Sequence, residues 1–252
     1  MNQEFNQKII LCIPGIWENH QALLHALLVN ETGYIYAGSI IKSLTNEYYA
    51  EVEEYGNDPN VSEVFRSFSL GRFSESELKK IEQHNMVIYI ICDGGSIELA
   101  QQALPLLGQA LMKAGGLAIK VETSGLTHLK SDWLSYNAEN ILDLFKAFIP
   151  IISDDNLLYS CGMQQFGKPD RCINLKVDQA SYILNNFLLY LLIENPELLE
   201  NQTFSADEES EPLKLSLKAS SDFFDVDSLY FNPFDVWVLT SSFSWKKLFK
   251  FS

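Results

Sequence analysis

Two uninterrupted apolar runs constrain the fold most: Ile9-Ile10-Leu11-Cys12-Ile13 and Met86-Val87-Ile88-Tyr89-Ile90-Ile91-Cys92. Neither approaches the roughly 20 residues that span a bilayer, and neither alternates as a strand with one wet face would. They read as strands covered on both faces. Pro14-Gly15 stops the first, and a shorter run, Ala118-Ile119-Lys120-Val121, reads as a third strand of the same kind. These three are expected at the centre of one sheet.

Helical signals fall between them. Asn19 is a good N-cap for a helix whose buried stripe is Leu23, Leu24, Leu27 and Leu28. Ser74 and Glu77 form a capping box, with Phe73 and Leu78 in the positions of a hydrophobic staple. Ile97, Ala100, Leu104, Leu107, Leu111 and Ala114 keep 3-4 spacing through a long helix that Pro105 should kink or split. A polar helical stretch is expected near 131–145. A strong helix is expected over 178–194, with Ala180, Ile183, Leu184, Phe187, Leu188 and Leu191 on its apolar face. The β-prone runs 34–41 and 48–55 suggest a hairpin joined by Leu44-Thr45-Asn46, and 147–153, 157–163, 213–217 and 230–239 read as further strands or turns. The pattern predicts an α+β (α/β-like) fold: a mixed β-sheet flanked by helices in a single compact domain over 1–240, followed by a basic aromatic tail over 241–252.

Charge limits the function. The 252 residues carry 33 acidic and 18 basic side chains, a net charge of −15. Such a surface repels nucleic acid and anionic lipid, and it draws in basic partners through long-range attraction. The amino terminus has no positive charge ahead of its short apolar run, so it does not read as a signal peptide, and cytoplasmic residence is expected. Cys12, Cys92, Cys161 and Cys172 contain no Cys-x-x-Cys pair and read as reduced, buried thiols. His20, His25, His84 and His128 have no metal-binding spacing. Asp93-Gly94-Gly95-Ser96 reads as a structural turn rather than a phosphate loop, because Asp93 would repel a phosphate. No Gly-x-Ser-x-Gly is present. Neither a catalytic residue, a cofactor nor a metal is expected. A Cys161 nucleophile with His128 or another histidine as base is the one catalytic arrangement worth testing, although a packed strand cysteine accounts for Cys161 more simply. The basic cluster over 244–252 reads as lying across the protein's own acidic surface, with Trp245, Leu248 and Phe249 covering apolar area.

Three segments carry a resemblance: Cys12-Ile13-Pro14-Gly15-Ile16-Trp17, Gly33-Tyr34-Ile35-Tyr36-Ala37-Gly38, and the loop from Cys161-Gly162-Met163 through Gly167-Lys168-Pro169-Asp170. Together they resemble an uncharacterised bacterial family, a domain of unknown function, up to about Phe234. That resemblance implies a shared scaffold and no catalytic residue. Trp17 and Phe166 would plug the ends of a core. Small, acidic, catalytically silent bacterial proteins of this profile are often immunity proteins, so the expected function is binding and neutralising a cognate basic toxin. The alternatives are a small-ligand-binding protein or enzyme using the loop between Cys161 and Asp170, or a structural assembly subunit. In the favoured reading, Tyr49, Glu51, Glu53 and Tyr55 share one face of a strand and form the partner-binding surface, with Asp207, Glu208 and Glu209 as the next candidates.

Overall fold

The computed structural model describes residues 7–154, 156–174 and 176–241. Apart from Ser241, the expected basic tail lies outside them. The chain divides into two compact units, Met1–Phe148 and Ile149–Ser252, and each contains its own sheet. The α+β class holds, with the expected strands shared between two sheets.

In the first unit the elements are β1 (Lys8–Gly15), α1 (His20–Val29), β2 (Tyr34–Ala37), β3 (Ile40–Ser43), β4 (Tyr49–Tyr55), α2 (Val61–Phe68), α3 (Glu75–Glu82), β5 (Met86–Asp93), α4 (Ile97–Gln101), α5 (Gln109–Lys113), β6 (Ala118–Val121), β7 (Leu126–Leu129), α6 (Lys130–Ser135) and α7 (Ile141–Phe148). The sheet order is β2-β3-β4-β5-β1-β6-β7, antiparallel throughout. The three apolar runs are therefore adjacent interior strands, as expected. Asn19 accepts a hydrogen bond from the Ala22 amide at 3.0 Å, and the Ser74–Glu77 capping box is formed. Around Pro105 the helix does split: α4 passes into a π-helical stretch, Gln102–Gly108, before α5. The run 34–41 is two strands rather than one. Gly38, at φ 64°, sits at the first position of a two-residue turn, where a type II′ hairpin calls for glycine.

The two faces of this sheet are covered unequally. Ile9, Leu11, Ile13, Ile88, Ile90 and Cys92 are buried on one face. On the other, Val61 and Phe65 of α2 and Phe73, Leu78 and Ile81 around α3 pack on Cys12, Val87 and Ala118. Beyond that cluster, Ile10 and Ile91 are only half-buried. Coverage of both faces thus holds along one face and part of the other. Helices of eight residues reach only about 12 Å, against about 29 Å across seven strands.

The second unit contains β8 (Ile151–Asp154), β9 (Leu157–Ser160), β10 (Asp170–Asn174), α8 (Ala180–Ile193), β11 (Thr203–Phe204), β12 (Leu213–Lys218) and β13 (Val236–Ser241). Its sheet is the mixed one, ordered β11-β12-β13-β10-β9-β8, with β10 and β13 parallel and the other pairs antiparallel. The predicted apolar face of α8 is buried at all six positions. Between β9 and β10 a 3₁₀ turn, Met163–Phe166, is bracketed by Gly162 at φ 108° and Gly167 at φ 68°, left-handed positions that glycine occupies without strain.

Candidate functional site

The alternation of Tyr49-Ala50-Glu51-Val52-Glu53-Glu54-Tyr55 makes β4 a two-faced strand. Ala50 and Val52 are buried, while Tyr49, Glu51, Glu53 and Tyr55 all face solvent on one side. The structure therefore brings together the four residues singled out from the sequence. It also gives them neighbours that the sequence did not reveal. Across β3 and β2, Tyr49 pairs with Lys42 and Lys42 with Ile35, while Glu51 pairs with Ile40. Across β5, Glu51 pairs with Ile91, Glu53 with Tyr89 and Tyr55 with Val87. Ile91 in turn pairs with Ile10. Ile35 and Ile40 are 40% and 41% exposed, and Tyr49 and Tyr55 are 55% and 52% exposed. The uncovered half of the sheet thus presents isoleucine and tyrosine to water beside carboxylates.

Charge on this face is mostly self-neutralised. Lys8 and Asp93 pair at 2.7 Å, Lys42 and Glu47 at 3.5 Å, and Lys120 pairs with Glu122. Asp93 holds the Lys8 ammonium above its ordinary pKa, chiefly through their hydrogen bond. Among the described residues no cation lies within ion-pair distance of Glu51 or Glu53. Glu53 accepts a hydrogen bond from the Tyr55 hydroxyl at 2.8 Å, and that bond raises the Tyr55 pKa.

At one end of the face lies an open cleft of about 590 Å³ lined by Glu53, Tyr55, Asn57, Asp58, Val87 and Tyr89. The Tyr55 and Tyr89 rings meet edge to face at 5.5 Å. His84 holds the rim: its Nε2 accepts from the Asp58 amide at 3.0 Å, and its backbone carbonyl accepts from Asn57 Nδ2 at 2.6 Å. Nδ1 lies 2.7 Å from the Ile81 carbonyl, so the proton belongs on Nδ1. Two carboxylates beside two tyrosine rings suit a lysine or arginine side chain, through charge and through the ring faces. His84 was unassigned from sequence, because its role depends on a loop 26 residues away.

The remaining candidates are placed differently. Asp207 folds its carboxylate back onto its own loop, accepting from the Glu209 and Ser210 amides at 3.0 and 2.7 Å and from Ser210 Oγ at 2.6 Å. The Ser210 hydroxyl, then the Tyr182 hydroxyl of α8, then these amides lower its pKa. Glu208 and Glu209 are exposed beside it, on the second unit. Cys161 is 1% exposed, and burial followed by the charge of Asp170 pushes its thiol far up. His128 in the first unit has its ring nitrogens occupied by the Ala147 carbonyl and the Tyr136 hydroxyl. Burial pushes its pKa down to about 4. A protonated, buried thiol and an imidazole committed to its own unit are poor material for nucleophilic catalysis.

The 161–170 loop is interior architecture. Asp170 is fully buried and accepts from Ser160 Oγ at 2.7 Å, the Met163 amide at 3.3 Å and Asn232 Nδ2 at 2.6 Å. Desolvation raises its carboxyl to about 6 against those bonds. Arg171 beside it is 1% exposed, donates to the Asp170 carbonyl at 2.9 Å and lies 5.4 Å from the Phe187 ring centre. The neighbouring cavity, about 60 Å³, can hold water but is far below the roughly 300 Å³ of an ordinary ligand pocket.

Gly94-Gly95 is the tight turn expected. The Gly94 amide bonds Gln7 at 2.8 Å, and Ser96 caps α4 through the Leu99 amide. All four cysteines are buried and free. No group of three His, Cys, Asp or Glu residues suited to a metal occurs among the described residues. No described helix is long and apolar enough to cross a membrane. Trp17 and Phe166, each 3% exposed, fill core positions. No protein-family model, curated protein or solved structure matches this chain.

Proposed function

We propose that this chain is a non-enzymatic binding protein that captures a basic protein on the open face of its seven-stranded sheet, and that it acts as a bacterial immunity protein neutralising a cognate toxin. The observation that carries the binding reading is the outward row Tyr49, Glu51, Glu53 and Tyr55, flanked by exposed Ile35 and Ile40. Aromatic and aliphatic groups supply the buried centre of an interface. Glu51 and Glu53, with no cation within ion-pair distance among the described residues, supply attraction and orientation toward a cationic partner. The cleft behind Tyr55 takes one lysine or arginine of that partner as an anchor. Net charge of −15 supports the same partner class. The immunity assignment draws on the small, acidic, catalytically silent profile of the chain.

The test pairs this chain with the product of the gene beside its own, co-expressed in a bacterial host. Growth arrest by that product, relieved by the wild-type chain and restored by Glu51→Lys with Glu53→Lys, is the expected result. Purified components should show association slowed about 10-fold at low salt in the double variant, with a weaker salt dependence. A harmless neighbouring product removes the immunity assignment. Equal rescue by the double variant removes this face.

A further inference from the structure

A groove of about 960 Å³ follows the C-terminal half of α8 in the second unit, a volume within the range of ligand sites. Its aromatic wall joins two elements. Phe187 and Tyr190 stand on α8, and Phe204 of β11 sets its ring centre 4.7 Å from the first and 5.8 Å from the second. Phe187 is fully buried beneath, whereas Tyr190 is 36% exposed and within reach of a ligand.

The polar side of the groove is neutral. Amides come from Asn186, Asn201 and Gln202, and Glu194 is the one charged side chain among the lining residues. Asn186 commits Nδ2 to the Tyr182 carbonyl at 2.9 Å, which leaves Oδ1 as an acceptor. Gln202 commits Oε1 to the Leu199 amide at 2.9 Å, which leaves its NH₂ as a donor. Asn201 holds φ 68°, a left-handed position that glycine fills without strain, and asparagine there adds an amide to the groove. A phosphate or carboxylate ligand would meet Glu194 and no cation on this lining, and a basic segment would meet a single carboxylate. β11 is only two residues long, so its edge offers an extended peptide little main-chain pairing. Neutral donors and acceptors beside aromatic rings match an uncharged ligand that is rich in hydroxyls and apolar on its ring faces.

We propose that this groove binds a short neutral oligosaccharide, with a pyranose ring against Tyr190 and Phe204 and its hydroxyls bonded to the amides of Asn186, Asn201 and Gln202. Each sugar hydroxyl donates and accepts at once, and an amide side chain answers both roles without charge. Glu194 accepts from hydroxyls at the end of the groove. The helical wall from Asn186 to Glu194 is about 12 Å long, so the bound portion is short. The site lies wholly in the second unit and is independent of the protein-binding face on the first.

Cellotriose, maltotriose and chitotriose, each titrated into the isotope-labelled full chain and followed by NMR, test the site. At least one should move the side-chain amide signals of Asn186, Asn201 and Gln202 and the backbone amide of Phe204, with a Kd on the order of 1 mM or tighter. Tyr190→Ala, at an exposed position, and Asn201→Gly, suited to the left-handed backbone, should each weaken that sugar several-fold while the rest of the spectrum stays that of the parent. Glu51→Lys with Glu53→Lys should leave sugar binding unchanged, which separates this site from the face on β4. Failure of all three sugars to move the groove signals overturns the proposal. So do shifts gathered at Tyr55 and Tyr89 instead, or equal sugar binding by the parent, Tyr190→Ala and Asn201→Gly.

Discussion

The open face of β4 and the turn between β9 and β10 reverse the usual distribution of residues in opposite ways. On β4 and its neighbours, isoleucine and tyrosine stand in water: Ile35, Ile40, Tyr49 and Tyr55 are each at least 40% exposed. In the turn, Gln164, Gln165, Asp170 and Arg171 lie in the interior, each 8% exposed or less. Buried polar groups cost free energy unless they are bonded, and Asp170 meets that requirement with three donors from β9, the 3₁₀ turn and Asn232. Exposed apolar groups cost little locally and gain only when something covers them. Polarity inside is bonded into the architecture, and the apolar surface outside is where the proposed partner would gain by covering it. The region with the more eye-catching chemistry is the one that holds the fold.

That contrast is open to attack by mutation. Asp170→Ala should be the most damaging change, lowering stability by about 3 to 5 kcal/mol in urea unfolding, because it strands Arg171, Ser160 and Asn232 in the interior. A loss below about 1 kcal/mol would return the loop to candidacy as a functional site.

The two units should next separate by pH. Burial raises the Asp170 carboxyl from 3.8 to about 6. Between those values the unfolded chain gives up this proton before the folded one does, so the second unit loses stability as pH rises from about 4 to about 6. His128 is lowered from 6.5 to about 4. In that window the unfolded chain takes up the proton first, so the first unit loses stability as pH falls. Each shift corresponds to on the order of 3 kcal/mol. Hydrogen exchange of α8 and β7 amides across this range should show opposite slopes, and Asp170→Asn and His128→Gln should each flatten only their own.

The smallest effect is expected on the open face. Ile40→Ser and Tyr49→Ala should each leave stability within about 1 kcal/mol of the parent in thermal unfolding, as changes at solvated positions do. Each should also weaken capture of the basic partner by about 10-fold or more. A large stability loss from Tyr49→Ala would show that this surface serves the fold rather than a partner.

Much of the scaffold was legible because its signals are local. The Ser74–Glu77 capping box, the Asn19 cap, the Pro105 break and the α8 stripe each depend on residues within a turn or two of one another. Helix α2 was missed because Asn60 makes no side-chain cap and the segment begins without a staple. Strand β10 was missed because Asp170 and Arg171 read as surface residues until a parallel neighbour covers them. The division into two sheets was also hidden, since nothing in 141–154 marks a boundary: α7 ends at Phe148 and β8 begins at Ile151. For the site, period 2 in 49–55 identified the outward row correctly. The isoleucines beside it and the His84 brace come from pairing in space, which the sequence pattern does not encode.

The position of β13 has a consequence for the order in which the molecule is made. It lies between β12 and β10, so the sheet of the second unit stays open in the middle until residues 236–241 leave the ribosome. Between completion of β12 at Lys218 and the arrival of Val236, β10 and β12 each expose an unpaired edge, while the first unit already has all seven of its strands. A nascent chain paused before Val236 is therefore a half-zipped object with sticky margins. Slow translation of the last stretch, or a truncation within it, should show up as aggregation of the second unit while the first folds normally.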